Sequence, residues 1–140
     1  NFKSYSFFYE WCQEQVGFGN IDSKGIFWHL DKDILVKGNK VYSEDNCVFI
    51  PQRINNLLLK VDKARGKDLL GVFYREDKGK FMCSCSPKGY LGLFNTSQEA
   101  FVAYKNYKEA LIKSVANEYK DRLDQRVYQA LINYTVEITD

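Results

Sequence analysis

The chain has one histidine, His29, one methionine and two prolines in 140 residues. A single imidazole leaves one ordinary candidate for a base that works near neutral pH. Four cysteines (Cys12, Cys47, Cys83, Cys85) are widely spread over apolar positions and lack the Cys-x-x-Cys spacing of a zinc staple. Buried, reduced thiols are expected of them rather than a disulfide framework. No run of about 18 apolar residues occurs, so no membrane-spanning helix is expected. Nothing near Asn1 has the order of a signal peptide, and a cytoplasmic location is expected. An excess of one charge is also lacking, with 20 Lys and Arg against 18 Asp and Glu. The length itself excludes large multidomain enzymes and long repeat arrays.

What is present is apolar and aromatic: 45% hydrophobic residues and 16% aromatics, enough for a core and too much for a disordered linker. The near-balanced charge is unevenly placed. Residues 32–88 hold twelve basic and seven acidic side chains, a net +5, against −3 for the remainder. An anionic partner is therefore expected to meet the middle of the chain.

Residues 2–16 set Phe7, Phe8, Trp11, Cys12 and Gln15 at helical spacing before Gly17-Phe18-Gly19-Asn20, which predicts a short amphipathic helix. Residues 25–36, GIFWHLDKDILV, are rich in β-branched and aromatic residues and are broken by Asp31-Lys32-Asp33. That pattern predicts a strand, a tight bend and a second short strand. The apolar run Cys47-Val48-Phe49-Ile50 stops at Pro51. Proline at a first helical position predicts a helix over 51–60 with Ile54, Leu57 and Leu58 on one face. These elements make a ββα-like unit over residues 1–62. The polar, basic stretch KVDKARGK at 60–67 is the expected boundary, and residues 68–140 the second unit.

In the second unit the period changes to two. Residues 70–75, 80–86 and 90–94 alternate, separated by Asp77-Lys78-Gly79 and Pro87-Lys88-Gly89, which predicts a three-stranded antiparallel meander. Thr96 (or Asn95) with Glu99 is a capping-box signature, followed by Ala100, Phe101, Ala103, Tyr104, Tyr107, Leu111 and Val115 on the face of a long helix. A second helix is expected over 116–133, and an extended or frayed end over 134–140. The fold class is thus α+β, a small ββα unit followed by a three-stranded sheet packed on a long helix, with C-terminal helices. Alternation places Val72, Phe81, Cys83 and Cys85 against the helix. The other face then shows Phe73, Arg75, Lys80, Met82, Ser84, Ser86, Lys88 and Tyr90. Such a mixture of cations, hydroxyls and rings suits a DNA major groove, and also suits the solvated side of any one-layer sheet.

The segment from Gly71-Val72 through Gly79-Lys80-Phe81 and Leu91-Gly92-Leu93-Phe94-Asn95-Thr96 to Glu99-Ala100-Phe101-Val102-Ala103-Tyr104 resembles the plant APETALA/ethylene-response-factor DNA-binding domain. The resemblance implies that the outer face of the three strands lies in the major groove, with Phe73, Arg75, Ser84, Ser86 and the Lys88/Tyr90 pair at the reading positions. Only Arg75 keeps that family's usual guanidinium there, so the target sequence is left open. The segment WHLDKDILVKGNKVYSEDNCVFIPQRINNLL resembles the His-Asn-His (HNH) motif of phage homing endonucleases. In that motif a histidine takes a proton from water while a divalent cation stabilises the phosphorane. The resemblance puts Asp31-Lys32 (or Lys32-Asp33) where the motif has the Asp-His that carries its base, Asn46 at its central asparagine and Asn55 at its helical ligand. Lysine is a poor base near neutral pH, and His29, two or three residues early, is the possible substitute. Asp31 and Asp33 suit magnesium in chemistry, but a solvated ion pair with Lys32 is the more ordinary expectation.

Both resemblances together, over residues 11–140, imply a DNA-binding protein of phage or mobile-element origin in a bacterial host cell. The expected function is sequence-specific double-stranded DNA binding as a transcriptional repressor or recognition module lacking cleavage. The alternative is an active HNH-type nicking or homing endonuclease. No cofactor is expected, with magnesium or manganese required only for the nuclease. Expected contacts to DNA comprise the sheet residues above with Lys78, the loop cations Lys37 and Lys40, the helix residues Arg53 and Asn56, and Lys63, Arg65 and Lys67 of the boundary. Tyr107, Leu111, Tyr119, Leu123 and Tyr128 can equally bury within one chain or pair two copies as a homodimer.

Overall fold

Ser4 starts the first helix: its Oγ accepts the Phe7 amide at 3.1 Å, satisfying one of the donors that a helix N-terminus leaves open. In the computed structural model, which describes residue 2, residues 4–58 and residues 71–137, this helix (α1) runs Tyr5–Gln13. It is shorter at both ends than the apolar spacing suggests. Phe2, Phe8 and Trp11 gather on it, and Trp11 and Phe18 both reach the Phe49 ring, at 6.4 and 5.4 Å between centroids.

Strand β1 (His29–Asp31) pairs antiparallel with β2 (Val48–Ile50), and helix α2 (Gln52–Leu57) follows. The ββα order is present, but its strands differ from expectation. Residues after Asp31 do not form a second strand, because the Asp31 carboxylate accepts the amides of Asp33 (3.1 Å) and Ile34 (2.7 Å) and turns the chain away. The partner of β1 lies instead in the wholly buried Val48-Phe49-Ile50. Pro51 is the N-cap of α2 rather than its first helical residue, with ψ at 152°. Only Ile54 of that helix is fully buried.

Strands β3 (Val72–Arg75), β4 (Lys80–Cys85) and β5 (Gly89–Phe94) form the expected antiparallel meander in the order β3-β4-β5. The long helix α3 (Ser97–Glu118) begins with Thr96 Oγ1 accepting the Glu99 amide at 3.2 Å, and Glu99 Oε1 accepts the Thr96 hydroxyl in return. Val72, Cys83 and Cys85 of the sheet pack with Ala100, Phe101 and Tyr104 of α3. Burial pushes the Cys83 thiol up to about 11, so it stays protonated at neutral pH. Residues 134–137 are extended, as expected, yet not loose. Val136 joins this core, and its amide donates to Glu109 Oε2 at 2.8 Å.

The break between α3 and helix α4 (Gln125–Ile132) falls at 119–124, later than the expected start at 116. Asp124 sets it, accepting the Arg126 amide at 2.9 Å as the N-cap of α4.

Two compact units result: Asn1–Leu59 with Ile112–Asn133, and Lys60–Leu111 with Tyr134–Asp140. The sequence-based division is 1–62 and 68–140, with residues 112–133 in the second unit. The later helical residues belong to the first unit because Tyr119 stacks edge-on against Trp28 and Glu118 pairs with Arg53. Among the described residues no helix is long and apolar enough to cross a membrane.

Candidate nucleic-acid interface

Pairing register assigns the outer face of the sheet row by row. Phe73 stands opposite Met82, which stands opposite Leu93, forming an apolar row across three strands. On one side of it Arg75 stands opposite Lys80, whose Nζ donates to Asn95 Oδ1 at 3.2 Å. On the other side Ser84 stands opposite Tyr90. Phe73 and Tyr90 are 45% and 57% exposed.

A register shift between Cys83 and Ser84 makes this face possible. Strict alternation would send Tyr90 and Phe94 to the same side. The irregularity lets Leu91 pack with Phe94 against the core while Tyr90 pairs with Ser84 outside. Three strands at ~4.8 Å spacing are about 10 Å across, within the ~12 Å width of a B-DNA major groove. Ser86 and Lys88, expected on this face, lie beyond the strand ends in the β4–β5 turn, and Lys78 lies in the β3–β4 turn. All three are exposed. The Lys88 amide donates to the Tyr107 hydroxyl of α3 at 3.3 Å, which ties that turn down.

Arg75 is engaged. Its Nε and Nη2 donate to the two carboxylate oxygens of Asp77 at 3.0 and 2.7 Å, and its Nη1 lies 3.8 Å from Met82 Sδ. The hydrogen bond from Arg75 holds the Asp77 carboxyl below the usual carboxylate range. In the sequence Asp77 stands out only as a turn residue and Asn95 only as an alternative helix cap, although Asp77 lies just two residues beyond the cation it holds.

The first unit places its expected residues less coherently. His29 is exposed at the start of β1, on the same strand face as Asp31. Lys32 lies over the Tyr42 ring at 5.2 Å. Asn46 sits in the turn before β2, its amide donating to Ser43 O, and Asn55 lies half-buried on α2. The asparagine that organises the loop is Asn39, whose Nδ2 donates to Lys32 O (2.7 Å) and Val41 O (2.9 Å). In the sequence Asn39 stands out only as a turn residue.

Lys37 and Lys40 are exposed, and Arg53 is paired with Glu118. Arg53 and Asn56 line a cavity of about 270 Å³ with Asp22, Ser23, Lys24, Gln52 and Tyr119. Lys63, Arg65 and Lys67 lie outside the described residues. Among the described residues no group of three His, Cys, Asp or Glu side chains is placed to hold a metal ion. Four of the five side chains named for a homodimer are buried or make contacts within the chain. Leu123 is buried, Tyr107 packs against the sheet core, Tyr119 meets Trp28, and the Tyr128 hydroxyl donates to Asn117.

Asp31 has a structural task that can be measured. Burial pushes its carboxyl above the usual range, and the neighbouring Asp33 carboxylate acts in the same sense. A carboxyl raised on folding stabilises the fold fully below its unfolded pKa and loses that contribution as pH rises through the folded value. Asp31→Ala removes the acceptor of two amides and is expected to cost about 1 kcal/mol. Asp31→Asn keeps an acceptor without the charge, so it is expected to exceed Asp31→Ala in stability and to flatten the pH dependence. Urea melts between pH 4 and pH 7 check both, and equal losses in the two variants would remove the capping role.

No protein family, curated protein or solved structure matches the chain.

Proposed function

We propose that the chain binds double-stranded DNA sequence-specifically through the outer face of its three-stranded sheet. In this reading it derives from a phage or mobile-element homing endonuclease and acts as a transcriptional repressor or recognition module without cleavage. The observation that carries the reading is the outer face itself, where Arg75, Lys80, Ser84 and Tyr90 border the Phe73–Met82–Leu93 row. Cations and hydroxyls find phosphates and base edges there, and apolar side chains find thymine methyls. The ββα unit, with Lys32 where the HNH motif has its base, supports a DNA-holding role rather than hydrolysis.

Selection from a random duplex library, with magnesium or manganese present, tests the reading. Enriched fragments are expected to stay intact. Nicks at a fixed offset from the enriched site would instead assign cleavage to the ββα unit, and an absence of enrichment would remove sequence-specific binding. Replacing Lys63, Arg65 and Lys67 together with alanine is expected to weaken binding to all duplexes alike. The slope of log K against log salt should become shallower by ~0.9 for each phosphate that is no longer neutralised. A loss confined to one sequence would make this segment a specificity element.

A further inference from the structure

Arg75 ends β3, and Asp77 lies two residues on, in the turn to β4. The carboxylate meets the guanidinium side-on, taking Nε and Nη2 at 3.0 and 2.7 Å. A guanidinium has five N–H donors in one rigid plane. Asp77 occupies two of them, and the Met82 sulfur at 3.8 Å from Nη1 is a weak acceptor for a third. The Nη1/Nη2 end of the fork carries two parallel N–H donors that the side-on Asp77 carboxylate leaves unused. Both partners stay in reach of solvent, with side chains 38% and 60% exposed. Across the strand, Lys80 is drawn toward Asn95 rather than toward Asp77.

We propose that Asp77 is a positioning residue that locks Arg75 so that its Nη1/Nη2 edge presents two parallel donors to the O6/N7 edge of a guanine. The inference rests on the DNA-binding reading above and deepens it by naming the base. Two features of the pair select guanine over phosphate. The two acceptors on the guanine major-groove edge are neutral and match a bidentate fork. A phosphate at the same edge would bring a second anion beside the Asp77 carboxylate and be repelled. Fixing a long side chain before binding also removes rotamer entropy that association would otherwise cost. The clamp persists at neutral pH, because the Asp77 carboxyl is held below the usual range and is released only as pH falls through that lowered value.

The full-length protein is first used to select a duplex. Each guanine of that duplex is then replaced in turn by 7-deazaguanine, which lacks the N7 acceptor, and binding is measured for wild type, Asp77→Ala, Arg75→Ala and the double variant. Wild type is expected to discriminate about 5- to 100-fold against the change at one guanine. Asp77→Ala should lose most of that discrimination at the same guanine as Arg75→Ala, with binding to unrelated duplexes undiminished. The double variant should discriminate no less than Arg75→Ala alone.

Full discrimination in Asp77→Ala, with tighter binding to every duplex, would reduce the pair to a surface ion pair and overturn the proposal. A uniform loss in Arg75→Ala on all duplexes would make Arg75 a phosphate contact. That outcome overturns the proposal while leaving DNA binding intact. If wild type enriches no sequence, the proposal falls together with the reading beneath it.

Discussion

Gly71→Ala is expected to destabilise the packing of the sheet on α3 by about 2–5 kcal/mol, combining a strained backbone with overpacking of the core. Two costs act at this position. Its φ of +75° lies in the left-handed region, where any Cβ is strained. A Cβ built there would also lie 2.1 Å from Tyr104 Cδ2, a buried ring of the same core. The ring cannot swing aside cheaply, because it packs among Val72, Cys83 and Phe101. Gly71 also supplies the carbonyl that accepts the Ser84 amide at 3.0 Å, so a shift of its backbone disturbs β4 directly. Gly79→Ala is the control: Gly79 has φ +62° but open space around it. Only the backbone cost applies there, and the expected loss is about 1–2 kcal/mol. Urea midpoints compare the two, and equal losses would show that the Tyr104 ring is not what makes position 71 special.

Arg75→Ala is expected to cost ~1–3 kcal/mol of binding to the selected duplex, with much less effect on unrelated DNA. The side chain is exposed enough that its removal leaves no buried group unpaired, so the protein's own stability should change little. Arg75→Lys tests the geometry. A lysine keeps the charge but loses the planar fork, and should bind unrelated duplexes as wild type does without recovering selectivity for the selected one. Titrations at matched salt read both quantities. If lysine restores selectivity fully, charge rather than a bidentate fork is what the site uses.

The meander and the start of α3 are legible in the sequence because their determinants are local. Alternation in Phe81, Cys83 and Cys85 reports a covered face, and Thr96 with Glu99 reports a helix start within four residues. Determinants that leave no periodic pattern, or that act at a distance, are hidden. The Asp31 carboxylate turns the chain, so β1 finds its partner in residues 48–50 instead of the next apolar run. Tyr90 emerges on the outer face expected of it, but the Cys83/Ser84 register shift that lets Phe94 pack inside at the same time is announced by no local pattern. Val136 looks like part of a frayed end until the distant Glu109 accepts its amide. The candidate interface is legible as a set of residue types, whereas the Arg75–Asp77 clamp needs the geometry of the turn. Composition marks a boundary at 60–67, but it cannot reveal that residues 112–133 return to the first unit.

That return has a practical consequence for anyone who wishes to dissect the chain. The two units are interleaved along the sequence, each built from two separate stretches. During synthesis the sheet emerges well before Val136, so its core is completed only after all of α4 has been made. A cut between residues 59 and 71 cannot yield two intact modules, because the N-terminal fragment lacks Tyr119 for Trp28 and Glu118 for Arg53. A chimaera meant to transplant the sheet's reading face onto another protein must carry residues 134–137 with it, or leave Val72, Cys83 and Tyr104 without one of their covers.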